Sequence, residues 1–80
     1  MITGENREQI VRETVAAHVG RRVSDDQPLI SSGIIDSLSI IRLIGALERN
    51  LGVKIPTERV QPEDFDSVDL IFETLERVAE

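Results

Sequence analysis

The stretch Asp36-Ser37-Leu38-Ser39-Ile40-Ile41-Arg42-Leu43-Ile44-Gly45-Ala46-Leu47-Glu48-Arg49-Asn50-Leu51-Gly52 decides the fold. It predicts a helix over about Ser37–Leu51, with Asp36 as N-cap and Gly52 just past the C-terminus. At 100° per residue, Ile40, Ile44, Leu47 and Leu51 fall within about 40° of Ile40, with Leu43 at the margin, and form a core face. Leu38, Ile41 and Gly45 lie roughly 100–160° round from Ile40, where a purely structural helix is normally polar. The helix therefore carries a second, narrow apolar stripe beside Ser37, bordered by Arg42 and Arg49 on one side and Glu48 on the other. Leu38 and Ile41 either pack beneath the preceding loop or meet a partner, and the sequence leaves both open. Gly45 within the helix answers either to close packing or to room for a partner.

Working outward, Arg21 to Asp36 reads as a long loop with two breaker clusters, Ser24-Asp25-Asp26-Gln27-Pro28 and Ser31-Ser32-Gly33. Leu29, Ile30, Ile34 and Ile35 are too apolar for a free linker, so several of them should pin the loop to the core. A structured loop of this length in a compact domain is usually functional. Before it, Glu5 to Val19 reads as a helix, with Val11, Val15 and Val19 recurring beside Ile10 and Thr14, Thr3 as N-cap and Gly20 as stop. After the central helix, Val53-Lys54-Ile55 is extended and ends at Pro56. Thr57 to Phe65 holds a short helical turn with Pro62 at a first helical position. A last helix follows, capped by Asp66 or Ser67, with Val68, Ile71, Phe72, Leu75 and Val78 as its apolar face. The sum is all-α: a small three-to-four-helix bundle with a long loop between helices one and two, in a single domain over 1–80.

Composition narrows the function. The formal net charge is -6 and the only aromatics are Phe65 and Phe72, so nucleic acid is disfavoured on both charge and stacking grounds. No apolar run approaches the roughly 20 residues of a membrane span. The polar start of the chain carries no signal-peptide core, so a cytoplasmic location is expected, and separately a monomer. With no cysteine, thiolate metal sites are excluded, and any thiol chemistry must come from an attached group. His18 has no second histidine near it, so no metal site is expected. Ser31, Ser32 and Ser37 have no histidine in a catalytic frame, which argues against a hydrolase. Ser37 remains. It is either a plain hydroxyl behind the Asp36 cap or the anchor of an anionic group at a helix N-terminus, where backbone N–H groups and the helix dipole favour negative charge.

Asp36-Ser37-Leu38 at the head of a helix resembles the attachment motif of acyl and peptidyl carrier proteins. Gly33 to Asp36 resembles that family's run-in loop, Leu47-Glu48 with Val53-Lys54-Ile55-Pro56 its stretch after the second helix, and Pro62-Glu63-Asp64-Phe65-Asp66 its entry to the last one. The likeness runs from about Ile10 to Val78. It implies a bundle of the acyl-carrier-protein type that is not an enzyme. Ser37, flanked by Asp36 and Leu38, would accept 4′-phosphopantetheine from coenzyme A through a phosphopantetheinyl transferase. The arm would then hold an acyl, aminoacyl or peptidyl thioester, loaded by an activating ligase and passed to downstream synthases or transferases. Leu38, Ile41, Arg42, Gly45, Glu48 and Arg49 would meet those partners. The fatty-acid branch carries carboxylates at the positions of Ser39, Arg42, Arg49 and Asn50, and their replacement here speaks against primary fatty-acid synthesis. The expected setting is a polyketide or nonribosomal peptide pathway. The alternatives are a D-alanyl carrier for cell-envelope modification and a helical interaction module without a prosthetic group.

Overall fold

The computed structural model describes residues 4–78. Three α-helices, α1 (Gly4–Val19), α2 (Ser37–Leu51) and α3 (Val68–Val78), are joined by the long loop and by two 3₁₀ turns, Thr57–Arg59 and Pro62–Phe65. The single turn expected over Thr57 to Phe65 is thus two, because the extended residues Val60 and Gln61 separate them. Thr3, expected to cap α1, lies outside the described residues.

Each helix forms for a local reason visible in its sequence. α1 ends where Gly20, at φ 88°, returns its N–H to the Ala16 carbonyl at 2.8 Å. α2 starts at Asp36, whose extended backbone turns the chain and whose carboxylate accepts the Ser39 N–H at 2.8 Å. It stops at Gly52, whose left-handed backbone (φ 69°) directs its N–H to the Glu48 carbonyl at 2.9 Å. α3 is capped by Ser67, whose Oγ accepts the Leu70 N–H at 3.1 Å. Of the two caps proposed for α3, the serine is the one used, and Asp66 is engaged elsewhere.

The core is aliphatic around one phenylalanine. Val11 and Val15 from α1, Ile40, Leu43, Ile44, Leu47 and Leu51 from α2, and Val68, Ile71, Leu75 and Val78 from α3 meet around Phe65. Phe65 comes from the second 3₁₀ turn and has no exposed surface, which places the turn firmly; burying such a side chain stabilises by about 1.5–3 kcal/mol. Leu43, marginal on the helical wheel, is fully buried, and Ala46 joins it. Ile55 is buried in the extended segment after α2. Phe72 is only half-buried and lies under the Arg12 guanidinium, 5.4 Å from its ring centroid.

The loop is part of the fold. Leu29 and Ile35 are buried, and Ile30 and Ile34 pack against the core. Near its start, Asp25 pairs with Arg12 of α1 at 2.8 Å, and the Asp25 carbonyl accepts the Asp69 N–H at 2.9 Å from the first turn of α3. The Arg12 hydrogen bonds hold the Asp25 carboxyl below its ordinary range. Among the described residues, no helix is long and apolar enough to cross a membrane.

Candidate functional site

Ser37 is the first residue of α2 and is exposed. Its neighbours explain why. Asp36 occupies the cap, and its carbonyl accepts the first intrahelical N–H, from Ile40, at 3.1 Å. Ile35 is buried on one side and Ile40 on the other, so the chain between them is pushed to the surface. The Asp36 carboxyl is held below its ordinary range, chiefly by the Ser39 hydrogen bonds and then by the Leu38 N–H and the nearby Arg42 charge. An acceptor-only carboxylate at this cap matches the positive end of the helix.

The serines around the loop differ in what their hydroxyls do. Ser31 Oγ donates to the Asp66 carboxylate, Ser32 Oγ to the Pro28 carbonyl, and Ser67 Oγ is taken by the α3 cap. Ser37 Oγ makes no hydrogen bond among the described residues. An exposed, unengaged hydroxyl at a helix N-terminus fits the attachment of a phosphate-linked group: the oxygen is accessible, and the anion it would bear stands at the end of the helix that favours it.

The apolar stripe beside Ser37 faces solvent. Leu38 is 74% exposed and Ile41 67%, which removes packing beneath the loop as their explanation. Arg42 and Arg49 are exposed and form no ion pair among the described residues, whose two salt bridges join Arg12 to Asp25 and Arg77 to Asp64. A Cβ at Gly45 would meet the Arg49 Nη1 at 3.5 Å, an ordinary contact, so packing within the chain does not demand the glycine. Glu48 stands apart from this group. It is half-buried, and its Oε2 accepts the Ile55 N–H at 2.7 Å, so the carboxylate expected to face a partner instead anchors the segment after α2.

Beyond Ile41 the surface dips into a small apolar cleft of about 160 Å³ between α2 and the 3₁₀ turns, lined by Ile40, Ile41, Ile44, Val60 and Pro62 among others. His18 lies far along α1, exposed, with Nδ1 at 3.3 Å from the Thr14 carbonyl. Among the described residues no group of His, Asp and Glu is placed to hold a metal ion.

Sequence reasoning missed Asp66. Its Oδ1 accepts three backbone N–H groups of the loop, from Leu29 (3.1 Å), Ile30 (2.6 Å) and Ser31 (2.9 Å). These bonds, led by that of the Ser31 hydroxyl, hold the Asp66 carboxyl below its ordinary range. The available signal was a choice of two adjacent caps for one helix, which left one of them free for other work.

Residues 9–75 match the family described as phosphopantetheine attachment site. Among curated proteins, a D-alanyl carrier protein of Streptococcus uberis is 38% identical over 53 residues, covering 64% of this chain and 67% of that protein. The D-alanyl carrier protein of Streptococcus pyogenes serotype M5 is 30% identical over 53 residues, 66% and 67% of the two chains. The reading as an interaction module without a prosthetic group falls away. The family match begins in α1, ends in α3 and takes in the loop between, and on that extent the chain belongs to the acyl and peptidyl carrier proteins, which bear 4′-phosphopantetheine as a covalent group.

Proposed function

We propose that Ser37 is the attachment residue and that the loaded arm carries an amino acid of the D-alanyl type. The observation that carries the first half is the exposed, unengaged Ser37 hydroxyl at the start of α2. In the modification a Ser37 Oγ–phosphorus bond forms as the pyrophosphate bridge of coenzyme A breaks. 3′,5′-ADP leaves, and the hydroxyl proton passes to a base of the transferase. The arm supplies the terminal thiol that this cysteine-free chain lacks. The chain itself catalyses no step.

The amino-acid cargo is supported by the names of the relatives, which are D-alanyl carrier proteins. They favour it over the polyketide or nonribosomal peptide setting expected from the sequence. Partner enzymes dock on the exposed face of α2 through Leu38, Ile41, Arg42, Gly45 and Arg49. An apolar pocket receives Leu38 and Ile41, and carboxylates meet the two arginines.

Loading tests the cargo. Protein already bearing the arm is incubated with ATP and either a D-alanine-activating ligase or ligases for other amino and acyl substrates, and thioester is measured by intact mass. Charging by the D-alanine ligase with D-alanine in preference to L-alanine is the expected result. Charging only by a polyketide- or peptide-type activating enzyme refutes this cargo and restores the secondary-metabolite setting.

A further inference from the structure

The approach to Ser37 is held by Asp66, twenty-nine places further along the chain. Residues 28–35 form one hydrogen-bonded unit: the Ile35 N–H returns to the Leu29 carbonyl at 2.9 Å, the Gly33 N–H to the Ile30 carbonyl at 3.0 Å, and Ser32 Oγ to the Pro28 carbonyl. Gly33 takes φ 82°, a conformation that disfavours any side chain. Asp66 fastens this unit to the start of α3. Its carboxylate takes the N–H groups of Leu29, Ile30 and Ser31 and the Ser31 hydroxyl, and its own carbonyl takes the Leu29 N–H at 2.6 Å. Asp36 and Ser37 follow the unit directly.

Among the described residues, Asp66 forms no ion pair and its carboxylate bonds only to this loop. The α3 cap belongs to Ser67, and Asp66 makes no hydrogen bond to Ser37. A carboxylate is the side chain that accepts several donors at once and donates none, which is what three adjacent loop N–H groups and a hydroxyl present. The bonds to the Leu29 and Ile30 N–H groups are partly buried; the Leu29 N–H keeps the Asp66 carbonyl when the carboxylate is removed, so the loss falls on Ile30 and Ser31.

We infer that Asp66 is a positioning residue for the modification of Ser37: it holds residues 28–35 in the arrangement that the phosphopantetheinyl transferase meets. The inference rests on Ser37 being the attachment residue. Without the clamp the loop samples other arrangements, and the transferase binds only the fraction with the competent one. The loss therefore falls on KM for the protein substrate while kcat is kept.

The test is the steady-state rate of modification by a broad-specificity phosphopantetheinyl transferase with coenzyme A, varying the concentration of wild type, Asp66→Ala, Asp66→Asn and Val11→Ala. The expected KM rises about tenfold in Asp66→Ala and about threefold in Asp66→Asn, which keeps one acceptor oxygen, with kcat unchanged. Val11→Ala removes core volume from α1, lowers the melting temperature and should keep the wild-type KM. If Asp66→Ala does not fold, Asp66→Asn alone decides. A folded Asp66 variant with the wild-type KM, or an equal rise in Val11→Ala, overturns the inference. Absence of any modification on the wild type overturns it together with the assignment of Ser37, so the two failures are told apart.

Discussion

Leu47→Ala and Ile41→Ala separate the two faces of α2. Leu47 has no exposed surface and belongs to the cluster that joins all three helices, whereas Ile41, six residues earlier, is 67% exposed. Truncating a fully buried leucine costs about 2–5 kcal/mol, from lost transfer energy and from the cavity that rigid neighbours leave behind. A domain of this length has a total stability of roughly 4–12 kcal/mol at the usual value per residue. Taking about 3 kcal/mol for Leu47→Ala, the melting midpoint falls by roughly 12–24 °C at the sensitivity of a small domain. Ile41→Ala removes a side chain already in water and should change stability by less than about 0.5 kcal/mol. Far-UV circular dichroism melts of the two variants beside the wild type supply the comparison. Equal losses, or a larger loss for Ile41→Ala, would refute the division of α2 into a core face and a docking face.

Two further outcomes follow from particular residues. Gly52→Ala should cost about 1 kcal/mol in a urea titration, because φ 69° is disfavoured for any residue with a Cβ while open space around the position adds no clash; an unchanged midpoint contradicts the C-cap assignment. Asp25, Asp36 and Asp66 all sit below their ordinary range in the folded chain, so the stability they contribute is fully present above the unfolded aspartate value near 4 and is lost as the pH falls through the lowered folded values. Melting temperatures from pH 7 to pH 3 should fall below about pH 4, and less steeply in Asp66→Asn; a flat profile there contradicts the clamp.

What could be read in the sequence was what is local. The bounds of α2, the Asp36 cap, the Gly52 stop and the face carrying Ile40, Ile44, Leu47 and Leu51 all follow from spacing within one helix, and the structure has them in place. The apolar residues of the loop announced that it would be pinned, and Leu29 and Ile35 are. What stayed hidden depends on which particular groups the folded chain brings together. Asp66 looks like a cap because aspartate beside the start of a helix usually is one; only the folded chain brings Leu29, Ile30 and Ser31 to it. Glu48 looks like a surface charge on the helical wheel, yet the chain turns back after Gly52 and presents the Ile55 N–H to it. Thr14 and Thr74 are buried because each hydroxyl finds a carbonyl, Ile10's and Asp64's, which no hydropathy pattern records.

The central claim concerns a single oxygen, and intact mass spectrometry tests it most directly. Purified chain is incubated with coenzyme A and a broad-specificity phosphopantetheinyl transferase, with Ser37→Ala in parallel. The account predicts a gain of one phosphopantetheine on the wild type and none on Ser37→Ala, with both proteins giving the same melt. A correctly folded wild type that gains no mass, or a Ser37→Ala protein that gains it at another serine, contradicts the account.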